Sequence, residues 1–168
     1  MSGFGPSPGR SLTSRVSDIE KPDLVFLIET KLRSNEWDVI KKKVKLPNAL
    51  VVESRSRKGG LVLLSPRELK VEIKSFSIHH IEACISQNLA PPWRFVGFYG
   101  HHETRNRRHS WNLMTLLNVL SSLPIIFVGD FNEVLDRSEH VSHRRQRPTW
   151  QMENFRQVIK DCGIFDVE

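Results

Sequence analysis

Two short apolar runs that each end in an acidic residue constrain the fold of this chain most. Residues 24–28 (LVFLI) are followed by Glu29, and residues 125–128 (IIFV) are followed by Gly129 and Asp130. Each run is too short for a helix and contains no polar residue, which is typical of a strand buried on both faces. Both carboxylates therefore lie at strand ends, where side chains on one rim of a sheet can converge on a single site.

Four other segments carry apolar residues at the spacing of one helix face. In chain order these faces are Leu12, Val16 and Ile19; Trp37, Ile40 and Val44; Trp111, Met114, Leu117 and Leu120, widened by Leu113 and Leu116; and Met152, Phe155, Ile159 and Cys162. Ser34 is expected to cap the second helix, Thr104 or Asn106 to cap the third, and Gly163 to end the last. The sequence therefore predicts helices that cover a sheet.

Between the second and third helices the pattern changes to short β-rich runs. These runs are residues 50–52, 61–64, 69–73, 78–85 and 95–99, and a turn at residues 58–60 separates the first two. Their close succession predicts an antiparallel meander instead of a series of helix crossovers. Residues 1–9 are rich in glycine and proline, so we expect a loose arm before a single domain over residues 10–168.

The charge of the chain favours an anionic partner. There are 25 Lys and Arg residues against 19 Asp and Glu, a net charge of +6. The excess is concentrated at residues 41–45, 55–58, 105–108 (Arg105, Arg107, Arg108) and 144–147 (Arg144, Arg145, Arg147). Such clusters are typical of a surface that binds a polyanion, although solvated loops and helix faces give the same pattern.

Cysteine content and hydropathy point to an intracellular setting. Cys84 and Cys162 are too few for a disulfide scaffold and lack the paired spacing of a zinc site. The N-terminus has no apolar run like that of a signal peptide, and nowhere do 18 apolar residues follow one another. We therefore expect no membrane segment, and a nuclear location if the chain acts on DNA.

Residues 129–133 (GDFNE) are the most specific candidate site in the sequence. Asp130 and Asn132 offer an acceptor and a donor two residues apart, and Phe131 stands between them. Together with Glu29 they supply the oxygen ligands that a hard cation such as Mg²⁺ prefers. Taken singly, either acid is as typical of a turn or a helix cap as of a ligand, so this interpretation depends on the motifs occurring together.

Several motifs in order resemble one known family. GDFNE at 129–133, ETK at 29–31 after LVFLI, GFYG at 97–100 and KGGLVLL at 58–64 resemble the endonuclease domain of LINE-type non-LTR retrotransposons, particularly those abundant in plant genomes. The leucine-rich helix after Trp111 and the segment QMENFRQVIKDCGIFDV also fit, so the similarity runs from about residue 10 to the last residue. This family is a branch of the endonuclease/exonuclease/phosphatase superfamily.

The resemblance implies a fold, an activity and a set of site residues. The fold is a four-layer α/β/β/α sandwich of two mostly antiparallel sheets, as in deoxyribonuclease I and the apurinic/apyrimidinic endonucleases. The activity is hydrolysis of DNA phosphodiesters with Mg²⁺, or with Mn²⁺ in its place. Glu29 is expected to bind the metal, Asp130 to orient and deprotonate the attacking water, Asn132 to hold a phosphate oxygen or position the nucleophile, and Tyr99 to lie against the phosphate. Without the resemblance, Tyr99 is equally typical of a core strand residue.

The chain also departs from the family. The family's first strand, with an Asn that arranges the metal site, and its terminal Ser-Asp-His-like motif have no counterpart here, so we expect a domain that is incomplete at both ends, with doubtful activity. The triplet Ser138, Glu139 and His140 follows GDFNE directly and is assigned no catalytic role. Two alternatives therefore stay open: a catalytically dead nucleic-acid-binding remnant and a phosphatase of the same superfamily. The other histidines are expected on the surface or in loops, and adjacent ones cannot easily share a zinc ion.

Overall fold

The computed structural model of the chain describes residues 22–30, 34–53, 60–136 and 148–165. The predicted arm, the first predicted helix, the basic clusters at 55–58 and 144–147, and the 138–140 triplet lie outside these residues. The described elements are β1 (Val25–Ile28), α1 (Ser34–Val44), β2 (Asn48–Val52), β3 (Leu61–Ser65), β4 (Lys70–Ser77), β5 (His80–Ser86), β6 (Trp93–Tyr99), a short 3-10 turn (Thr104–Asn106), α2 (Arg107–Val119), β7 (Ile125–Asp130) and α3 (Thr149–Asp161). They divide into two compact units, Met1–Lys70 and Val71–Glu168.

The first unit contains a three-stranded antiparallel sheet in the order β1-β3-β2. The central strand β3 is buried along its whole length, which explains its unbroken apolar sequence. Helix α1 packs Trp37 and Ile40 against Val62 and Leu64, as its helical spacing predicts. In β1 only Val25 is buried and the other three residues are half-buried, because this strand has one neighbour among the described strands. The prediction that residues 24–28 are buried on both faces is therefore wrong in part.

The second unit contains a four-stranded sheet in the order β4-β5-β6-β7. Strands β5 and β6 are antiparallel, whereas β6 and β7 are parallel and are connected through α2, as a parallel pair requires. The core forms where α2 packs Met114 and Leu117 on Val96 and Phe98, and α3 adds Phe155. The predicted meander is thus divided between two sheets, since β3 and β4 do not pair.

The fold class agrees with the prediction: two mostly antiparallel sheets, with α1 packed on the first and α2 and α3 on the second. Two details differ. Leu116 on α2 and Leu120 directly after it are exposed, so the buried face of this helix is narrower than the spacing suggested. Ile126 and Val128 are also exposed, because β7 has only β6 beside it in the described part of the chain. None of the described helices is long and apolar enough to span a membrane.

Two glycines allow the backbones at the ends of β6 and β7 to come close together. Gly129 has a φ of +146°, and a Cβ atom built on it would lie 1.9 Å from the carbonyl oxygen of Phe98. A Cβ on Gly100 would lie 2.2 Å from the carbonyl oxygen of Phe131. No side chain fits at either position without moving a strand backbone. Both glycines therefore fix the strand ends that carry Tyr99 and Asp130.

We expect Gly129→Ala to destabilise the second unit by about 3 kcal/mol or more, because left-handed backbone strain and a clash with a strand carbonyl add together. Gly163→Ala is the matched control, since Gly163 also has a positive φ, +62°, but nothing lies within 4 Å of an added Cβ. Its cost should be about 1 kcal/mol. Urea unfolding followed by tryptophan fluorescence measures both, and equal losses would contradict the steric argument.

Candidate active site

Glu29 lies at the end of β1 in a backbone conformation that is unusual for its residue type. Its φ is +53° and its side chain is exposed. The next residue, Thr30, donates its N–H to the carbonyl oxygen of Gly60 at 3.3 Å. A Cβ atom built on Gly60 would lie 2.6 Å from the carbonyl oxygen of Thr30. Thr30 of the ETK motif and Gly60 of the KGG motif therefore meet at one end of the first sheet. Strained, exposed residues of this kind are frequent at functional sites.

The parallel pairing of β6 with β7 brings two other predicted site residues together. Tyr99 is the register partner of Asp130 at the carboxyl ends of these strands. The ladder continues for one residue, since the N–H of Gly100 donates to the carbonyl oxygen of Asp130 at 2.7 Å. Asp130 is exposed, whereas Tyr99 is largely buried. One rim of the second sheet thus presents a carboxylate beside a tyrosine.

Asn132 fixes the loop that follows Asp130. It has a left-handed φ of +55°, its backbone N–H donates to Asp130 Oδ1 at 2.8 Å, and its Nδ2 donates to the carbonyl oxygen of Gly100 at 2.9 Å. One carboxylate oxygen of Asp130 is thereby held in place. Within the described parts of the chain Asp130 Oδ2 accepts no hydrogen bond, so it can accept one from water or substrate.

The last residue of the GDFNE motif points into the protein. The Glu133 side chain is 1% exposed, and its Oε2 accepts hydrogen bonds from Arg107 Nη1 at 2.8 Å and Gln151 Nε2 at 2.6 Å. Arg107 also donates to the carbonyl oxygen of His102 at 3.1 Å. These bonds attach the loop after β7 to both α2 and α3. No sequence pattern distinguished Gln151, which is one of two glutamines among the polar residues of α3.

The run of arginines at residues 105–108 predicts that Arg107 belongs to an exposed basic cluster, and for Arg107 this prediction is wrong. Its side chain is only 5% exposed, and the ion pair with Glu133 compensates its buried charge. Arg108 is exposed, and the Arg105 side chain is 81% exposed while its Nε donates to Glu103. Two of the three arginines therefore remain on the surface, where they can contact an anion.

Glu133→Ala should destabilise the chain by about 3–5 kcal/mol, because it leaves the Arg107 guanidinium buried without a counter-charge. The matched control is Glu72→Ala, which removes the exposed pair between Glu72 and Lys74 and should leave the unfolding free energy nearly unchanged, because solvent screens this pair. Chemical denaturation measures both values. Similar losses in the two variants would show that the buried pair does not hold the loop.

His80 is a buried histidine, contrary to the prediction that all histidines are on the surface or in loops. Ser75 Oγ donates to Glu82 Oε2 at 2.7 Å and accepts from His80 Nε2 at 3.0 Å. The other ring nitrogen, Nδ1, is 2.8 Å from Ser77 Oγ and accepts from it in the neutral ring. Glu82 also forms a buried ion pair with Arg94 at 2.6 Å. Because the hydrogen bonds satisfy the neutral imidazole, this cluster is structural.

Burial lowers the pKa of His80, although the charge of Glu82 opposes the shift. The His80 imidazole is therefore protonated more readily in the unfolded chain than in the folded one. Its contribution to the free energy of unfolding is fully present above a pH of about 6.5 and is lost as the pH falls through the lower pKa of the folded state. His80→Gln should show a shallower loss of unfolding free energy between pH 7 and pH 5. Urea titrations at several pH values measure the slopes, and parallel slopes would rule out this role for His80.

The candidate metal ligands fit a hard divalent cation but do not form a closed site. No group of three histidine, cysteine, aspartate or glutamate side chains converges within the described residues. Mg²⁺ does not require one, since it is usually held by one or two carboxylates, with water and phosphate completing its shell. The exposed carboxylate of Glu29 meets that requirement. The structure describes Glu29 and Asp130 in separate units, so their joint role stays a prediction.

Comparison with known proteins identifies the fold and the family. The chain is similar in structure to an AP endonuclease from Archaeoglobus fulgidus, with a TM-score of 0.58, 12% identity, and coverage of 89% of this chain and 64% of that one. It is also similar to TDP2 from C. elegans, with a TM-score of 0.49, 16% identity, and coverage of 81% and 47%. The chain thus spans less than two thirds of either neighbour. No curated protein sequence matches it.

The family model of the endonuclease/exonuclease/phosphatase family matches residues 3–160, nearly the whole chain. This chain therefore belongs to the endonuclease/exonuclease/phosphatase family.

Proposed function

We propose that this chain is the nuclease domain, in whole or in part, of a LINE-type retrotransposon protein, and that it hydrolyses DNA phosphodiesters with Mg²⁺. The observation that carries the proposal is the rim of the second sheet, where Asp130 stands exposed beside Tyr99 and is oriented by Asn132. Family membership supports phosphoester chemistry. The GDFNE, ETK, GFYG and KGGLVLL motifs support the retrotransposon branch.

The chemistry requires neutralisation of charge and an aimed water molecule. A DNA phosphodiester repels hydroxide, so developing charge on the phosphate oxygens has to be stabilised. Glu29 would hold Mg²⁺ or Mn²⁺, which supplies that stabilisation when bound. Asp130 Oδ2 would accept the proton of the attacking water, while the hydrogen bond from Asn132 keeps the carboxylate in a fixed orientation. Tyr99 would lie against the scissile phosphate, beside Asp130.

The basic surface favours nucleic acid over a small phosphate ester. The chain carries a net charge of +6, and Arg105 and Arg108 are exposed in the segment that follows Tyr99. Lys42, Lys43 and Lys45 are exposed on and after α1. Several exposed cations in each unit match a polymer of phosphates better than a single phosphate group.

Nicking of supercoiled plasmid tests the proposal. Wild-type protein should convert plasmid to the open circle in Mg²⁺ and not in EDTA. Asp130→Asn should lower the rate by about 100-fold or more, because it removes the general base while keeping the side-chain shape. Glu153→Gln is the matched control, since it removes an exposed carboxylate on α3 and should nick at the wild-type rate.

A separate variant tests the metal ligand. Glu29→Gln should raise the Mg²⁺ concentration needed for half-maximal nicking, whereas Asp130→Asn should lower the rate at every Mg²⁺ concentration. Equal background nicking of plasmid by wild type and Asp130→Asn would contradict the proposal that this chain is an enzyme. Salt-sensitive DNA binding without any nicking would favour the nucleic-acid-binding remnant, and release of phosphate from nucleotides or inositol phosphates would favour a phosphatase.

A further inference from the structure

Three histidines from different elements form a cluster of rings in the second unit. His79 is in the turn between β4 and β5, His101 follows β6, and His109 is on α2. The ring centroids of His79 and His101 are 3.8 Å apart, and those of His101 and His109 are 6.0 Å apart. No sequence pattern groups them, because they are separated by 22 and 8 residues. We call these three residues the imidazole cluster.

The imidazole cluster is attached to the rim that carries Tyr99 and Asp130. The N–H of Tyr99 donates to the carbonyl oxygen of His79 at 2.8 Å, and His79 Nδ1 is 2.9 Å from the carbonyl oxygen of Tyr99. The backbone N–H of His101 donates to Ser110 Oγ on α2 at 2.8 Å. The end of β6 and helix α2 therefore position the cluster. His101 follows Gly100, whose N–H makes the last bond between the ends of β6 and β7.

These bonds leave ring nitrogens available for a ligand. A carbonyl oxygen can only accept, so His79 Nδ1 carries the proton and Nε2 is the nitrogen that gains one when the ring becomes charged. Within the described parts of the chain, no side-chain hydrogen bond involves the rings of His101 or His109. Charged rings in this arrangement would present N–H donors, which suits an anion.

The charges around the cluster also favour an anion. The rings of His79 and His109 lie beside His101, the charge of His102 also acts on it, and the acid in this segment is Glu103. Glu103 accepts bonds from Arg105 at 2.8 Å and Asn106 at 3.2 Å, so its charge is already compensated. Burial lowers the pKa of His101, and the neighbouring histidines lower it further while Glu103 opposes them. An anion placed here would reverse that shift.

A transition metal is the other ligand that imidazoles bind, but the geometry does not favour it. Ligand atoms must converge at about 2.0–2.1 Å on one ion, and no three candidate ligands do so among the described residues. The two nearest rings instead face each other at a tilt of 40°.

We propose that the imidazole cluster is a phosphate-binding subsite for nucleic acid, contacting a backbone phosphate next to the one at Asp130. The proposal rests on the proposed function for the identity of the substrate. The geometry of the imidazole cluster is independent of that function. Binding is coupled to proton uptake, so affinity should increase as the pH falls through the pKa of the bound state and level off below the pKa of the free state.

DNA binding in EDTA tests the subsite without cleavage. Fluorescence anisotropy of a labelled duplex gives affinity from pH 5.5 to 8.5 at several salt concentrations. At pH 6, His101→Gln and His109→Gln should each bind about tenfold more weakly, with a salt slope smaller by about one. The difference from wild type should shrink as the pH rises to 8.5, since the proposal couples binding to proton uptake. His109 is an exposed helix residue, so its variant keeps the test valid if His101→Gln fails to fold.

His102→Gln is the matched control, because His102 is an exposed neighbour outside the cluster. It should bind like wild type at every pH. In NMR titrations the His101 Cε1–H midpoint should move to higher pH with duplex and much less with the same concentration of inorganic phosphate, which separates a nucleic-acid subsite from a general anion site. Variants that bind like the control at every pH, a midpoint unchanged by duplex, or binding that requires added Zn²⁺ would each overturn the proposal.

The two proposals fail separately. Histidine-dependent DNA binding without nicking would overturn the nuclease and leave the subsite. Nicking that depends on Asp130 but is insensitive to His101 and His109 would do the reverse.

Discussion

The parallel pairing of β6 with β7 is the constraint on which the candidate site depends. It aligns Tyr99 with Asp130 at two adjacent carboxyl ends, and it forces the chain between them to cross over through α2. The crossover explains the core, since α2 must bury its apolar face on the same strands that it connects. It also explains the glycines, because Gly129 and Gly100 occupy the places where the paired backbones leave no room for a side chain.

The sequence predicted the elements better than their arrangement. Apolar runs and helix spacing located β1, β7 and the packed faces of α1 and α3, because burial depends on local periodicity. The division of the predicted meander between two sheets could not be predicted, since the pattern within a strand does not show which strand it pairs with. Exposure of Ile126 and Val128 also depends on which strand lies beside β7, and neighbours in a sheet are not encoded within one strand.

The site shows the same difference between local and long-range information. Asp130 and Asn132 were predicted because they stand in one short motif, and the hydrogen bond between them is local. Arg107 was misassigned because a run of arginines gives no sign that one member finds a distant Glu133. The imidazole cluster was missed for a related reason, since spacing along the chain says nothing about rings that meet across a sheet end and a helix.

The GDFNE loop shows why a rigid loop suits the proposed chemistry. Its three polar residues take different directions: Asp130 faces solvent, Asn132 bonds across to Gly100, and Glu133 is buried with Arg107. A general base must be held within a few tenths of an ångström of its productive position, and an exposed aspartate on a free loop would not be. The buried ion pair and the left-handed Asn132 provide that rigidity, because neither can relax without breaking a second contact. The orientation of one exposed carboxylate thus depends on contacts that its neighbours in the loop make with Gly100, Arg107 and Gln151.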